Sequence, residues 1–272
     1  MKTISIIGCG WLGFPLALRL KEKGYLVKGS VTSAEKATRL QNAGLDAVVL
    51  TLTPEPEGDL AALLDTDALV ISVPPRAGAQ GDAFHPRQIE LLTEAIRQTG
   101  RSPYVIYVSS TSVYPEKNQT AFEEEVVGSE ESAAPALVEA ERRVLALGNA
   151  SVVRCGGLMG YDRIPGKYVA GKQNITTAGV PVNYIHRDDA AGLLLALLES
   201  PRPGETFNAV APEHPTREAV YRKSCADFGF ALPTFAEPPE PVPFKVVNGE
   251  KAVRALGYTY IYPNPLHFLY SF

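Results

Sequence analysis

The chain contains few of the residues that build disulfide frameworks and metal sites. Its 272 residues include only three cysteines, Cys9, Cys155 and Cys225, and no Cys-x-x-Cys pair. An odd and widely spaced set of cysteines predicts neither a disulfide framework nor a zinc site. The four histidines are scattered without the spacing of metal ligands, so we expect no bound metal.

A surplus of positive charge is also absent. The chain carries 26 lysines and arginines against 30 aspartates and glutamates, which gives a formal net charge of −4 at pH 7. Surfaces that bind nucleic acids or anionic membranes show a basic excess. The charge balance therefore predicts neither nucleic acid nor a membrane surface as a partner.

Long apolar runs are missing as well, so the sequence predicts no membrane span. The apolar run after Met1 and Lys2 resembles a signal peptide, and Ile7-Gly8-Cys9 resembles a lipoprotein cleavage site. However, fewer apolar residues precede Cys9 than the ~7–15 that the apolar region of a signal peptide needs. We therefore expect a cytoplasmic protein, with a signal peptide as the alternative.

Glycine and proline, by contrast, are abundant, with 23 and 22 copies. Between these turn-forming residues, short apolar runs alternate with amphipathic stretches. Continuous runs of Val, Ile and Leu are typical of strands buried on both faces of a parallel sheet, and their alternation with helices predicts a doubly wound α/β fold of the Rossmann type. The predicted strands are 4–7, 26–31, 47–50, 68–73, 104–108, 151–154 and 206–209, and the predicted helices lie near 12–22, 33–43, 58–64, 83–99, 132–147 and 187–199.

The regular alternation breaks in two segments rich in glycine or proline, 155–186 and the tail from about 212. We expect these segments to form a small irregular C-terminal lobe over the carboxyl edge of the sheet, where doubly wound proteins bind ligands. The predicted domains are a sheet domain of residues 1–160, to which 187–211 return, and a small lobe of residues 161–186 and 212–272.

A glycine-rich turn follows the first predicted strand and opens the first helix, which is the context in which GxGxxG indicates a dinucleotide site. Gly8 would allow the tight turn, Gly10 the close approach of the backbone to a pyrophosphate, and Gly13 the packing of helix on strand. The helix N-terminus would add free N–H groups and a positive dipole end. The predicted NAD(P)-binding residues of this loop are Gly8, Gly10, Trp11, Leu12 and Gly13.

The end of the second strand decides the type of cofactor. NAD enzymes usually place an Asp or Glu there for the ribose hydroxyls, but residues 29–33 contain no carboxylate. Thr32 and Ser33 can donate hydrogen bonds to a 2′-phosphate, and Lys36 and Arg39 follow within two helical turns. The sequence therefore favours NADP, with NAD as the alternative, although a solvated helix face would equally explain Arg39.

Four further segments resemble the extended short-chain dehydrogenase/reductases. Residues 105–114 (VIYVSSTSVY) resemble their fifth-strand SS-x-SVY segment, and 153–160 resemble their sixth-strand R-x-x-x-x-G turn. Residues 183–191 resemble IHxxDxA, and Phe207-Asn208 resembles a late-strand asparagine. The order of these segments resembles the nucleoside-diphosphate-sugar epimerase/dehydratase-like branch, and GxGxxG in place of GxxGxxG points to its atypical members.

The resemblance also implies where catalysis would take place. The family uses a Tyr-x-x-x-Lys pair on the helix before the sixth strand, the tyrosine being the acid/base. Alignment on Glu141 puts Ala133 and Leu137 at these two positions, and neither residue can move a proton. The position that orients the substrate oxygen is retained as Thr111, and Tyr114 follows it. We predict both as catalytic residues, with packing as the alternative for Tyr114.

Further residues are implied around the ligands. Arg163 occupies a place where relatives use a basic residue near a substrate phosphate, Asn183 would lie at the rim of the pocket, and His186 could act as a general base. An exposed arginine would equally explain Arg163, and a structural role would explain His186. The predicted cofactor contacts at the strand ends are Val73, Pro74 and Ser109.

Two functions are consistent with these features. One is an NADP-preferring reductase, dehydratase or epimerase for a sugar-nucleotide-like or small carbonyl substrate, with water, Tyr114 or His186 replacing the missing tyrosine. The other is a non-catalytic NAD(P)(H)-binding sensor or regulatory protein. The missing Tyr/Lys pair favours the second, while Thr111 and the small lobe favour the first, which we prefer. Relatives dimerise through helices equivalent to 83–99 and 132–147, so we expect a homodimer, although the alanines of the second helix would equally suit an internal core.

Overall fold

A computed structural model describes residues 2–75, 80–125 and 128–271. Its strands, numbered along the chain, are β1 (Thr3–Ile7), β2 (Leu26–Val31), β3 (Asp46–Leu52), β4 (Pro56–Gly58), β5 (Ala68–Ile71), β6 (Tyr104–Ser110), β7 (Gln119–Ala121), β8 (Ala150–Cys155), β9 (Gly157–Met159), β10 (Tyr184–His186), β11 (Thr206–Ala209) and β12 (Lys245–Val247).

The helices connect these strands and include short ones in the C-terminal part. They are α1 (Gly13–Glu22), α2 (Ala34–Asn42), α3 (Leu60–Leu64), α4 (Phe84–Gln98), α5 (Pro135–Leu145), α6 (Pro165–Val169), α7 (Arg187–Glu199), α8 (Arg217–Phe228) and α9 (Glu250–Leu256), with 3₁₀ turns at Thr111–Val113 and Pro265–His267. Among the described residues, no helix combines the length and the hydropathy that crossing a membrane requires.

One eight-stranded sheet organises the fold, in the order β11-β8-β6-β5-β1-β2-β3-β4. The pairs β1-β2, β1-β5, β2-β3 and β5-β6 are parallel, and β4 closes the edge antiparallel to β3. The central strands are buried on both faces, as Ile6, Ile71 and Ile106 show with no exposed area. The prediction of a doubly wound parallel sheet of the Rossmann type is thus confirmed.

The helices bury the apolar stripes that the sequence shows. In α1, Leu16, Ala17 and Leu20 are buried, and α2 begins at an N-cap, Ser33, whose hydroxyl accepts the Lys36 backbone N–H at 3.4 Å. Helices α4 and α5 pack on each other. The α5 residues that could have served either a dimer or an internal core are buried within the chain itself: Ala136, Leu137 and Ala140.

The chain divides into two units. The first comprises Met1–Val113, Val126–Arg154 and Ala191–Phe207, and the second comprises Tyr114–Glu125, Cys155–Ala190 and Asn208–Phe272. In the second unit β7 pairs with β12 and β9 pairs with β10, both in parallel. Residues 114–125, 155–160, 187–190 and 208–211 lie in the second unit, whereas the sequence-based division has them in the sheet domain.

Candidate cofactor and catalytic site

The glycine loop between β1 and α1 has the conformation that its spacing predicts. Gly8 has a φ of +91°, and a Cβ added there would lie 2.3 Å from the carbonyl oxygen of Ser72. A Cβ on Gly13 would lie 2.7 Å from the carbonyl oxygen of Gly8. Both positions therefore exclude a side chain, Gly8 because of the turn and Gly13 because the helix packs against the loop.

Gly10 differs from the two glycines that flank it. A Cβ added to Gly10 would meet no atom of the described chain within 4 Å, and its φ lies outside the left-handed region. Neither the backbone conformation nor the neighbouring protein requires a glycine at this position. A pyrophosphate that approaches the backbone closely does require one, so the loop fits a dinucleotide.

The electrostatic setting of the loop suits an anion. The first turn of α1 contains no acidic residue, and a helix N-terminus presents unpaired N–H groups to a phosphate. Burial raises the pKa of the Cys9 thiol to about 12, so this loop residue stays neutral. No negative charge from Cys9 would therefore oppose a bound phosphate.

The polar side chains at the end of β2 lie next to each other. The Lys36 amino group donates to the Thr32 hydroxyl at 3.4 Å, and Ser33 begins α2 between them. Thr32 and Lys36 are exposed. Arg39, one turn further along α2, holds its guanidinium carbon 4.9 Å from the centre of the Phe14 ring on α1. Lys36 thus lies beside Thr32 at the end of β2, and Arg39 lies beside the start of α1.

The ends of β5 and β6 lie on the same sheet edge as the glycine loop, because β1, β5 and β6 are parallel neighbours. A Cβ on Gly8 would lie 3.5 Å from the Val73 nitrogen, which places the segment after β5 beside the loop. Pro74, which follows, is exposed. Thr111 begins the 3₁₀ turn after β6 and is 6 % exposed.

Ser109, near the end of β6, uses its hydroxyl inside the first unit. It donates to the Glu141 carboxylate at 2.6 Å. Glu141 also accepts from Arg154, whose Nη2 lies 2.8 Å and whose Nε lies 3.1 Å from its oxygens. The two charged side chains are only 5 % and 9 % exposed. A buried acid is thereby paired and hydrogen-bonded, as burial of a charge demands.

The two side chains at the positions where extended short-chain dehydrogenase/reductases carry Tyr and Lys cannot transfer a proton. Ala133 lies just before α5 and is exposed, whereas Leu137 lies in its first turn and is 5 % exposed. A different polar pair is buried in this unit: His85 lies 2.6 Å from the Tyr107 hydroxyl. Burial lowers the pKa of His85 and raises that of Tyr107, so both are neutral at pH 7.

In the second unit, Tyr114 is fully buried and bonded at both ends. Its hydroxyl donates to the Asn208 side-chain oxygen at 2.8 Å, and its carbonyl accepts from the Lys245 amino group at 2.6 Å. Burial lowers the pKa of Lys245. Since the Tyr114 proton is directed to Asn208, this geometry favours the packing alternative. The catalytic role of Tyr114 stays a prediction.

Two of the predicted substrate residues in the second unit have internal partners. The Asn183 amide donates to the Lys245 carbonyl at 2.9 Å and accepts from the Val247 N–H at 2.8 Å. His186 places Nε2 at 3.1 Å from the Leu269 carbonyl and Nδ1 at 3.2 Å from the Asp188 N–H.

The Leu269 carbonyl can only accept, so Nε2 carries a proton, and the Asp188 N–H can only donate, so Nδ1 carries none; His186 is therefore the neutral tautomer. Burial lowers its pKa, in agreement with this state. The geometry of His186 thus favours a structural role. Arg163 is half-exposed, and its backbone pairs with Gly160. The substrate-binding roles of Arg163, Asn183 and His186 stay predictions.

Sequence comparison places the chain among known proteins. It is 35 % identical to the protein YeeZ of Escherichia coli (strain K12), over 98 % of each chain. The chain belongs to the YeeZ family. No protein-family model matches this YeeZ-family chain.

Solved structures share the fold of this YeeZ-family chain at low sequence identity. dTDP-glucose 4,6-dehydratase from Bacillus anthracis, in complex with NAD, superposes with a TM-score of 0.79 at 14 % identity, covering 98 % of this chain and 94 % of that one. UDP-glucuronic acid 4-epimerase from Bacillus cereus, in complex with UDP-glucuronic acid and NAD, superposes with a TM-score of 0.76 at 17 % identity. The match covers 97 % of this chain and 95 % of that one. The fold implied by the resemblance to extended short-chain dehydrogenase/reductases is thereby confirmed.

Asp189, the aspartate of the IHxxDxA segment of the YeeZ-family chain, has a structural role that the resemblance does not predict. Asp189 has no exposed area and accepts from the Tyr258 hydroxyl and the N–H groups of Ile261 and Tyr262. It thus fastens the C-terminal segment within the second unit. A carboxylate at the start of a helix is a common N-terminal signal, which does not reveal such distant partners. Across the described ranges, no cluster of three His, Cys, Asp or Glu side chains could hold a metal.

Proposed function

We propose that this YeeZ-family protein binds NADP(H) at the glycine loop and acts as a reductase, dehydratase or epimerase on a sugar-nucleotide-like or small carbonyl substrate. The observation that carries the proposal is Gly10, a glycine that neither its φ nor its described neighbours require. When bound, the cofactor supplies or accepts a hydride at its nicotinamide ring. Two of the solved structures that share the fold, a sugar-nucleotide dehydratase and an epimerase each in complex with NAD, support this class.

Different residues of the first unit would bind different parts of the cofactor. The backbone from Gly10 to Gly13 and the first turn of α1 would hold the pyrophosphate. Thr32, Ser33 and Lys36 would hold the 2′-phosphate of the adenosine half. The nicotinamide half would be held by Val73 and Pro74, which follow β5, and by Ser109, near the end of β6.

The preference for NADP over NAD depends on Lys36. Its amino group lies beside Thr32 at the end of β2, where an NAD enzyme would carry a carboxylate. We expect Lys36→Gln to raise the Kd for NADPH about tenfold, since a charge-assisted hydrogen bond is lost. The Kd for NADH, which lacks the 2′-phosphate, should stay the same. Titration of cofactor fluorescence with both nucleotides measures these constants.

Lys23→Gln is the matched control for Lys36→Gln. Lys23 is another exposed lysine of the first unit, but it pairs with Glu199 at 2.7 Å, near the end of α1. Its replacement should change neither Kd. Binding of NADH by the wild-type protein as tight as that of NADPH would overturn the preference.

Thr111 is the residue proposed to orient the substrate oxygen. It is the first residue after β6, in a turn that packs against α5, and its hydroxyl can donate one hydrogen bond and accept others. The side chains of Ala133 and Leu137 have no group that could give a proton to the substrate or take one from it. The Tyr114 proton is directed to Asn208, so we assign proton exchange with the substrate to water.

Measurements of turnover test the proposed role of Thr111. NADPH-loaded protein is screened against carbonyl and sugar-nucleotide substrates by loss of absorbance, and Thr111→Val should lower turnover about a hundredfold, as removal of one oriented donor does in other enzymes. Ser112→Ala, which removes an exposed hydroxyl of the same turn, should leave turnover unchanged. Equal rates for Thr111→Val and wild type would contradict the proposed role.

A non-catalytic NADP(H)-binding protein is the second candidate. The observation that favours it is the replacement of both proton-transfer residues by side chains without ionisable groups, one of them, Leu137, buried. Tight NADPH binding without turnover across the whole substrate panel would select this candidate. Turnover of any substrate that depends on Thr111 would select the enzyme.

A further inference from the structure

One buried carboxylate joins three elements of the first unit. Glu141 on α5 accepts the hydroxyl of Ser109 on β6 and the guanidinium of Arg154 on β8. Glu141, Ser109 and Arg154 are 4 %, 6 % and 7 % exposed when backbone and side chain are counted together. A buried ion pair often contributes no more stability than well-packed apolar residues of similar volume. Stability alone is therefore a weak explanation for this arrangement.

The position of Ser109 suggests a more specific explanation. Ser109 is followed by Ser110 and Thr111, where β6 ends, and the turn that Thr111 begins packs against α5. The end of β6 lies on the sheet edge that carries the glycine loop. Because its proton is donated to Glu141, Ser109 is fixed in one rotamer at this edge. Arg154 in turn fixes Glu141.

We infer that Glu141 is a positioning residue for the nicotinamide half of the cofactor and that it acts through Ser109. This inference rests on the proposed binding of NADP(H). Glu141 need not touch the cofactor. It holds the end of β6 at a set distance from α5, while the pyrophosphate and adenosine contacts at β1 and β2 are made by other residues. Loss of Glu141 should thus weaken one half of the cofactor site and spare the other.

Comparing the Kd values of two ligands distinguishes the nicotinamide half of the proposed cofactor site from the adenosine half. NADPH occupies the whole site, whereas adenosine 2′,5′-bisphosphate carries the 2′-phosphate of the adenosine half and no nicotinamide. The double variant Glu141→Leu with Arg154→Met removes both charges of the pair together, so the fold is expected to be kept, but Ser109 has lost its acceptor. We expect its Kd for NADPH to rise about tenfold and its Kd for the bisphosphate to stay within about twofold.

Two further variants make the test robust. Ser109→Ala removes the hydroxyl itself and should give the same split between the two ligands, even if the double variant fails to fold. Arg142→Met breaks a more exposed ion pair on the same helix, in which Glu139 keeps Arg143 as its second partner, and should change neither Kd. Equal weakening of both ligands, or no change in either, would overturn the inference. Failure of the wild-type protein to bind NADPH would overturn the proposed function along with it.

Discussion

Replacing Gly10 with valine is expected to weaken NADPH binding by at least about a hundredfold without lowering the stability of the protein. The Cβ of the new side chain would enter space in which no described atom lies within 4 Å, and the φ of Gly10 lies outside the left-handed region. Stability should therefore change by no more than about 0.5 kcal/mol. A bound pyrophosphate would need the same space, and a hundredfold loss in affinity corresponds to about 2.7 kcal/mol.

Gly179→Val is the matched control for Gly10→Val. Gly179 is an exposed turn glycine of the second unit, with no described atom within 4 Å of an added Cβ and no left-handed φ. Its replacement should leave both the Tm and the Kd for NADPH unchanged. If Gly10→Val binds NADPH as tightly as the wild type, the dinucleotide does not lie on this loop. A fall in Tm for Gly10→Val alone would show that the glycine serves the fold.

The first unit could be predicted closely because its elements carry their own signals. The run at 26–31 becomes β2 (Leu26–Val31), and the amphipathic stretch near 83–99 becomes α4 (Phe84–Gln98). Continuous apolar runs report burial on both faces, and a stripe of period 3.6 reports a helix on the sheet. In such segments tertiary packing and local pattern agree, so the pattern is sufficient.

The second unit could not be predicted in the same way. Helix α8 (Arg217–Phe228) lacks a clear apolar stripe, although its N-cap Thr216 and its left-handed C-cap Gly229 are both ordinary end signals. Strands β7 and β12 are three residues each and pair across more than 100 positions of sequence. Strands this short leave no periodic pattern to read, so only the tertiary pairing defines them.

The site shows the same division. The roles of Gly8 and Gly13 follow from a local motif, because each depends on the backbone within a few residues of the loop. The contacts of Glu141 do not: Arg154 and Ser109 lie 13 and 32 positions away, on other elements. A carboxylate on the apolar stripe of α5, one turn from Leu137 and Val144, is a sequence signal that could have indicated a buried partner.

Breaking that buried pair should produce the largest loss of stability. We expect Arg154→Met to destabilise the protein by about 3–5 kcal/mol, because the Glu141 carboxylate would stay buried without its counter-charge. This is a large fraction of the roughly 5–15 kcal/mol that separates folded from unfolded proteins. It corresponds to a fall in Tm of about 10 °C. Thermal unfolding followed by circular dichroism measures the change.

Burial of the charged groups, and not the mere presence of an ion pair, is the cause of the expected loss of stability. Arg142 pairs with Glu139 on the same helix at 2.5 Å, but its side chain is 75 % exposed, against 9 % for Arg154. Arg142→Met should therefore cost no more than about 1 kcal/mol. Adding Glu141→Leu to Arg154→Met should recover most of the lost stability, since the unpaired charge is then gone. Equal losses of stability for Arg154→Met and Arg142→Met would show instead that the cost does not depend on burial of the Glu141 carboxylate.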